Sequence, residues 1–277
     1  MQLSICTAII ASLAGIEPCL ALPWFRWTDN TAKDVKLTEQ EEEALKYFHE
    51  PGYVTDLQTA RARELISDSG DDLNHYDRRY FHGKVSDSER TDTQSHMIRA
   101  YLSFFHEHGI DTWLAHGTLL GWWWNGTRLP WDYDLDTQVS HQTLQLLGRS
   151  YNQTLYHDDT SSREFLLDVN PWIWQRGNGD GMNVIDARWI DVRNGLYVDI
   201  TGLSEMDPVN EPGVVSCKNY HYYQVQDLYP MRDTVFEGVS ARVPYRYESI
   251  LRDEYHDGAL VDTDYYGYVS IGKWENI

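Results

Sequence analysis

The chain has 277 residues, of which 42% are hydrophobic, so it is long enough for one large domain with extensions and a sizeable core. Its formal net charge of -20 argues against binding to nucleic acid and to anionic membranes. A phosphorylated ligand would have to be attracted by a metal ion or by local basic side chains, because the overall charge of the chain repels it.

The N-terminal segment, residues 1–21, is apolar and ends in small residues, which is typical of a cleaved secretory signal peptide. An uncleaved membrane anchor is the alternative interpretation. Either form predicts a protein of the secretory pathway, in the Golgi lumen or secreted. Cleavage would remove Cys6 and Cys19 and leave Cys217 as the single cysteine, so the mature chain would have no intrachain disulfide.

Residues 22–74 are predicted to form a helical extension. Thr38 and Glu41 have the spacing of a capping box, and the helix that they begin would end before Pro51. The basic residues Arg78 and Arg79 follow in an aromatic segment. They could face a bound phosphate or, equally well, pair with the many acids of the surface.

Apolar residues recur at helical spacing from Glu89 to His108 and predict a helix that ends at Gly109. Ile110 to Ala115 are then predicted to form a strand. Further along the chain the pattern predicts a helix that Ser140 caps, and several other elements. These are a strand at 163–170, short strands within 220–243, and a helix from Tyr245 to Tyr255.

A glycine turn, His116-Gly117-Thr118, follows the first predicted strand and begins a helix. Such a helix start offers free backbone amides to an anion, so we predict that it binds the phosphates of a donor. His116 is equally suited to contacting a phosphate and to capping the turn. Arg128, which precedes an acidic segment, is predicted to pair with a diphosphate.

Three aspartates alternate in that acidic segment: Asp132, Asp134 and Asp136. On an extended strand, alternating side chains point to one face. Carboxylates on one face repel each other unless a cation lies between them, and hard oxygen ligands suit Mg²⁺ or Mn²⁺. Asp132 could bind a second ion, orient a metal-bound water or act as the base. A solvated acidic edge strand is the alternative interpretation.

Two β-rich runs flank Asn194-Gly195, which is a strong hairpin signal. The returning strand, 196–203, contains Asp199 between apolar neighbours. A lone acid inside such a strand is costly unless it is paired or bound to a metal. We therefore predict that Asp199 is the third metal ligand with Asp134 and Asp136. The alternative is a core aspartate that pairs with an arginine or a backbone amide.

A Gly-Thr pair that opens a helix, an Asp-x-Asp on the next strand and one Asp on a later strand form the pattern of the nucleotidyltransferase superfamily. Within it, HGTLLGWWWNGTRLPWDYDLD (116–136) resembles the LicD family, which includes bacterial phosphocholine transferases, fukutin and fukutin-related protein. It looks most like the fungal branch that contains the yeast mannosylphosphorylation protein. Further similar segments are 76–83, 100–117, 185–203 and 227–255. The family often has Asp where this chain has Tyr133.

The resemblance implies an α+β fold, a nucleotidyltransferase-like mixed β-sheet flanked by helices. It would form a single catalytic domain at 75–257, followed by a C-terminal tail at 258–277. It further implies metal-dependent transfer of a phospho-group from a nucleotide-activated donor to a glycan. By the fungal likeness, the donor would be GDP-mannose and the acceptor a protein-linked mannan. Two alternatives remain: an Asp-x-Asp glycosyltransferase, and a non-catalytic regulator of a partner transferase in the Golgi.

Overall fold

The computed structural model describes residues 75–177 and 183–262, together with the backbone of two short strands at 264–265 and 268–269. The predicted signal peptide and the helical extension lie outside the described residues, and those predictions stay predictions. None of the helices in the described ranges combines the length and the apolar character that crossing a membrane requires.

Helices and strands alternate along the described chain. The helices are α1 (Asp87–Glu107), α2 (His116–Asn125), α3 (His141–Leu146), α4 (Val225–Leu228), α5 (Tyr247–Tyr255) and α6 (Gly258–Val261), and a π-helical turn at Leu147–Tyr151 continues α3. The strands are β1 (Trp113–Leu114), β2 (Asp136–Ser140), β3 (Thr154–Asp158), β4 (Arg163–Val169), β5 (Ala187–Asp191), β6 (Tyr197–Glu205), β7 (Val214–Ser216), β8 (Tyr222–Gln224), β9 (Arg232–Phe236), β10 (Val239–Val243), β11 (Asp264–Tyr265) and β12 (Tyr268–Val269).

A mixed sheet organises the fold, with the strand order β1-β2-β6-β5-β4-β3, and β7 and β8 extend it from β6. Strands β2 and β6 run parallel, whereas β1 with β2 and β5 with β6 are antiparallel. The predicted α+β fold with a mixed sheet and flanking helices is therefore confirmed. The parallel pair β2 and β6 is the part of the sheet that bears the predicted site.

An aromatic core joins α1 to the sheet. The ring centroid of Phe104 lies 5.2 Å from that of Trp189 on β5, and Phe165 of β4 stacks on the same indole at 5.7 Å. Tyr101 of α1 is fully buried and meets Trp189 edge-on at 6.0 Å. Large buried aromatic surfaces dominate core energetics, so α1 fixes the position of the sheet beneath the site.

Most predicted elements appear close to their expected bounds because their signals are local. Ser86 caps α1 by accepting a hydrogen bond from the Glu89 amide at 3.2 Å, and Gly109 follows the helix end with a φ of 63°. Ser140 caps α3 through the Thr143 amide at 3.1 Å. The predicted hairpin at Asn194-Gly195 joins β5 to β6.

The predicted strand through the alternating aspartates is wrong in its extent. β2 begins only at Asp136, and Asp132 and Asp134 lie in the loop that precedes it. The reason is that β1 stops at Leu114, where Ala115 becomes the N-cap of α2. The loop therefore has no antiparallel neighbour from β1 alongside it, and the predicted strand 110–115 is correspondingly shorter.

Candidate active site

A row of three charged side chains crosses neighbouring strands of the sheet. Asp136 on β2 is the register partner of Asp199 on β6, and Asp199 is also the register partner of Arg188 on β5. Register partners project from the same face of a sheet. Arg188 Nε donates a hydrogen bond to Asp199 Oδ1 at 2.9 Å. Two carboxylates and one guanidinium thus lie side by side at the start of β2.

The loop before β2 brings Asp132 and Asp134 to this row. Burial and a side-chain hydrogen bond with Asp134 raise the pKa of Asp132 to about 8. Burial and the negative charge of Asp134 raise the pKa of Asp136 well above its ordinary value, and Asp199 and Asp132 act in the same direction. The structure therefore brings the four predicted catalytic aspartates together; Asp132, Asp134, Asp136 and Asp199 are called the carboxylate cluster below.

The N-terminus of α2 closely approaches this cluster. A Cβ atom at Gly117 would lie 2.5 Å from Asp132 Oδ2, so the missing side chain at this position makes room for the carboxylate. The same Cβ would lie 3.9 Å from the Tyr255 hydroxyl of α5. The predicted phosphate-binding turn therefore lies next to the carboxylate cluster, and its backbone amides are available to attract an anion there.

Thr118 ties α2 to β2. Its buried hydroxyl accepts a hydrogen bond from the backbone amide of Asp136 at 2.8 Å. Sequence reasoning assigned Thr118 to the donor phosphate, whereas its contact in the structure fixes the backbone of an aspartate. The effect is to hold Asp136 at a set position beside the start of the helix.

His116 begins α2 with a φ of 49°, a left-handed conformation that is uncommon outside glycine. Its Nδ1 atom lies 3.0 Å from Glu254 Oε2, and the Tyr223 hydroxyl donates a hydrogen bond to Glu254 Oε1 at 3.0 Å. Burial lowers the pKa of His116, but the Glu254 hydrogen bond and the charge of Asp136 outweigh burial and raise that pKa. A positive charge is thereby favoured at the edge of the carboxylate cluster.

Residues 109–246 match the family model described as LicD/FKTN/FKRP, nucleotidyltransferase domain. The matched segment contains α2, the acidic loop, β2 and β6, which together carry the carboxylate cluster. The chain contains a LicD-family domain. The resemblance that the Gly-Thr turn and the alternating aspartates indicated is thus confirmed by a match along 138 consecutive residues, 109 to 246.

Several curated proteins are similar to this LicD chain. Mannosyltransferase regulator 4 of Saccharomyces cerevisiae is 42% identical over 135 residues, and mannosyltransferase regulator 14 of the same yeast is 39% identical over 145 residues. Ribitol 5-phosphate transferase FKRP of Mus musculus is 25% identical over 167 residues. The alignments cover 47%, 50% and 57% of this chain. The chain spans only 12%, 16% and 30% of the lengths of these relatives.

The chemistry of the cluster suits a hard divalent cation, since neighbouring carboxylates raise the pKa values of Asp132 and Asp136 and a cation would reverse that effect. The present side-chain arrangement is not a closed ligand set: within the described ranges, no three Asp, Glu, His or Cys side chains are grouped so as to hold a metal ion. Asp199 contacts Arg188, as the alternative interpretation of this residue expected. Mg²⁺ or Mn²⁺ at Asp134, Asp136 and Asp199 stays a prediction.

Arg128, which was predicted to pair with a diphosphate, and Arg79, for which two interpretations were open, both have contacts within the protein. Arg128 is buried in the loop after α2 and donates a hydrogen bond to the Leu129 carbonyl at 3.1 Å, while its backbone amide donates to Glu237 Oε1 at 3.0 Å. Arg79 forms ion pairs with Asp77 at 2.8 Å and Asp168 at 2.5 Å, and both acids are buried. Arg79 therefore follows the second of the two interpretations, pairing with acids.

Three residues that sequence reasoning missed hold the site in place. Arg188 pairs with Asp199, Glu254 holds His116, and Arg90 of α1 donates a hydrogen bond to the Asp132 carbonyl. The position of Arg188 could have been found by counting back from the hairpin turn. Glu254 and Arg90 come from distant helices, and no local signal in the sequence connects them to the site.

Proposed function

We propose that this LicD domain is a metal-dependent phosphotransferase of the secretory pathway. It transfers mannose 1-phosphate from GDP-mannose to a glycan of a glycoprotein. The carboxylate cluster beside the start of α2 is the observation that carries the proposal, because this pairing of acids and free amides suits a diphosphate held through a cation. The names of the relatives support a role in glycan modification, since two are mannosyltransferase regulators and one is a ribitol 5-phosphate transferase.

The donor diphosphate would lie at the N-terminus of α2. The backbone amides of Gly117 and Thr118 belong to the first turn, whose N–H groups have no carbonyl partner within the helix. The charge on His116, which Glu254 supports, adds an attractive contribution beside them. This local attraction offsets the net charge of -20, which repels an anionic donor.

A divalent cation, Mg²⁺ or Mn²⁺, would be held by Asp134, Asp136 and Asp199 and would neutralise charge on the transferred phosphoryl group. The protein itself orients the reactants. Thr118 fixes the backbone of Asp136, and the sheet register keeps Asp199 next to it. Asp132, which is also placed against Gly117, would accept the proton of the attacking hydroxyl once a bound cation has lowered its raised pKa.

The transfer is a single displacement at the β-phosphorus. A sugar hydroxyl oxygen of the glycan attacks the β-phosphorus of GDP-mannose, and its proton passes to Asp132. The bond between the β-phosphorus and the oxygen that bridges it to the α-phosphorus breaks. GMP leaves with that oxygen and the electron pair, while mannose 1-phosphate stays on the glycan as a phosphodiester. Positioning and charge neutralisation supply most of the catalysis in such transfers.

A second candidate is a non-catalytic regulator that assists a partner transferase in the Golgi. Two observations favour it. The yeast relatives are named regulators, and Arg188 is hydrogen-bonded to Asp199, a predicted metal ligand. A regulator would not need to bring four acids together, however, because mutual repulsion of partly buried carboxylates costs stability. The carboxylate cluster therefore favours the catalytic proposal.

The test is to incubate the mature protein with Mn²⁺, GDP-mannose and an oligomannose acceptor and to identify the released nucleotide. GMP, with phosphate retained on the glycan, is the expected result. GDP would indicate an Asp-x-Asp glycosyltransferase and contradict phosphosugar transfer. If no nucleotide is released, a panel of CDP-activated alcohols is tested next. Turnover of one of them would identify a different donor, whereas a non-catalytic regulator would process none of them.

A further inference from the structure

Tyr133 presents an exposed aromatic ring at the carboxylate cluster. It stands between Asp132 and Asp134 in the acidic loop, and 41% of its surface is accessible to solvent. Many large aromatic side chains of the described residues, among them Trp113 and Trp189, are buried in the core. An exposed ring within the loop that carries the site acids is therefore available for contact with a ligand.

Arg90 supports the ring of Tyr133. The Arg90 guanidinium lies 4.1 Å from the ring centroid, and Arg90 also donates a hydrogen bond to the Asp132 carbonyl. The backbone amide of Tyr133 donates to Asp132 Oδ1 at 3.0 Å. Because Arg90 is itself 94% buried on α1 (6% exposed), this support is rigid. A ligand that stacks on the ring would lose little additional side-chain entropy.

Tyr133 and Asp132 face different elements. The Asp132 carboxylate lies against Gly117 at the start of α2, where the proposed donor phosphates bind. The Tyr133 ring lies against Arg90 of α1, and the His75 ring is 6.1 Å away from it. His75 also acts electrostatically on Asp199, so this side borders the cluster as well. The ring thus contacts Arg90 and His75, whereas the Asp132 carboxylate lies against the start of α2.

We propose that Tyr133 is the platform on which a sugar residue of the glycan acceptor stacks. The sugar is the one next to the residue that carries the attacking hydroxyl, because the ring lies beside the transfer point and not on it. The inference rests on the proposed function, since it takes the acceptor to be a glycan. Aromatic rings suit this ligand, because their apolar face packs against the C–H face of a sugar while the tyrosine hydroxyl stays exposed to solvent.

The experiment measures KM for mannose acceptors that contain from one to four sugars, with Tyr133→Ala, Tyr133→Phe and wild-type protein. Loss of the ring should raise KM about five- to tenfold for the disaccharide and longer acceptors. KM for the monosaccharide glycoside, KM for GDP-mannose and kcat should stay unchanged. Tyr133→Phe should restore the wild-type values, because it retains the ring.

Tyr245 is the matched control. It is 42% exposed and stacks with an arginine, Arg232, at 4.7 Å, but its sequence neighbours are Pro244 and Arg246 and not aspartates. Tyr245→Ala should change none of these constants. A KM increase for GDP-mannose in Tyr133→Ala would assign the ring to the nucleobase and overturn the proposal. An equal KM increase for every acceptor length would overturn it too.

A binding measurement keeps this inference separate from the proposed function. Calorimetric titration of the metal-free protein with mannotetraose, in the absence of a donor, needs no turnover. Wild-type binding that Tyr133→Ala weakens, in a protein that transfers nothing, would support the platform and refute the catalytic proposal. Equal affinities for wild-type protein and Tyr133→Ala, or no binding by either, would overturn the platform.

Discussion

Asp136 and Asp199 are register partners on the parallel strands β2 and β6, so their carboxylates lie side by side on one face of the sheet. The hydrogen-bonded ladder sets this proximity, because it holds the two Cα positions next to each other. The protein therefore carries the cost of neighbouring negative charges before any ligand binds. Such preorganisation is expected where a cation or a cationic group is to be placed, and Arg188 takes that place beside Asp199.

Gly117→Ala should separate the geometry of the site from the stability of the fold. The new methyl group would lie 2.5 Å from Asp132 Oδ2 and would displace this carboxylate, which is the end of a short movable side chain. We expect transfer to fall about a hundredfold, since small displacements of reacting groups have effects of this size. Thermal unfolding should change little. Gly177→Ala, where no atom lies within 4 Å of the new Cβ, should leave both transfer and unfolding unchanged.

Thr118→Val should destabilise the protein by about 1–3 kcal/mol, because it removes the acceptor of the Asp136 amide from a buried position. Valine has nearly the volume of threonine, so packing should be preserved. Urea unfolding measures the free-energy change. Thr118→Ser retains the hydroxyl and should recover most of the loss. Equal destabilisation by serine and valine would contradict the role given to this hydrogen bond.

Arg188→Met should leave the buried Asp199 carboxylate without its arginine and destabilise the metal-free protein by roughly 3 kcal/mol at pH 7. If Asp199 is a metal ligand, Mn²⁺ should raise the Tm of this variant more than that of the wild-type protein, because the cation takes over the arginine's charge. The exposed ion pairs of Arg242 with Asp111 and Asp233 supply the control, and Arg242→Met should cost less than Arg188→Met, about 1 kcal/mol. An equal Mn²⁺ shift in variant and wild type would remove Asp199 from the ligands.

The pair of His116 and Glu254 predicts a window of pH dependence. Burial raises the pKa of Glu254, but the hydrogen bond with His116 outweighs burial and lowers this pKa from 4.5. The contribution of Glu254 to stability is therefore present above pH 4.5 and disappears as the pH falls through the lowered value. The pKa of His116 is raised from 6.5, so its contribution is present below pH 6.5 and disappears as the pH rises through the raised value. The pair therefore stabilises the fold most between pH 4.5 and 6.5.

Glu254→Gln tests this window. The difference in unfolding free energy between wild type and variant should be largest between pH 4.5 and 6.5 and should decrease on both sides. Glu248→Gln is the control on the same helix, because Glu248 is exposed and pairs only loosely with Arg252, at 3.6 Å. A difference for Glu254→Gln that stays constant from pH 4 to pH 8 would mean that the contact with His116 is not ionic.

The parts of the fold that local signals specify were predictable from the sequence. Helical spacing and Gly109 defined α1, and Asn194-Gly195 defined the hairpin of β5 and β6. The start of β2 was not predictable from alternation alone, because a strand also needs a neighbour, and β1 ends at Leu114. The alternation of acids predicted too long a strand, since only Asp136 of the three lies on β2.

The sequence indicated that four acids would lie close together, and it gave no sign of the contacts that support them. Asp132, Asp134, Asp136 and Asp199 do come together, because the turn signals and the apolar strands around them fix the register. Their partners come from far along the chain: Glu254 is separated from His116 by 138 positions. A sequence offers no pairwise information at that distance without related sequences, so contacts of this kind emerge only from the fold.

The destination of the β-phosphate distinguishes phosphosugar transfer from every alternative reaction. The mature protein is incubated with Mn²⁺, an oligomannose acceptor and GDP-mannose that carries ³²P in the β-phosphate. The account predicts that the label moves to the glycan, that Asp136→Asn abolishes this transfer while it remains folded, and that the control Asp159→Asn, at an exposed position, does not. Label that stays with the nucleotide while mannose is transferred, or full transfer by Asp136→Asn, would contradict it.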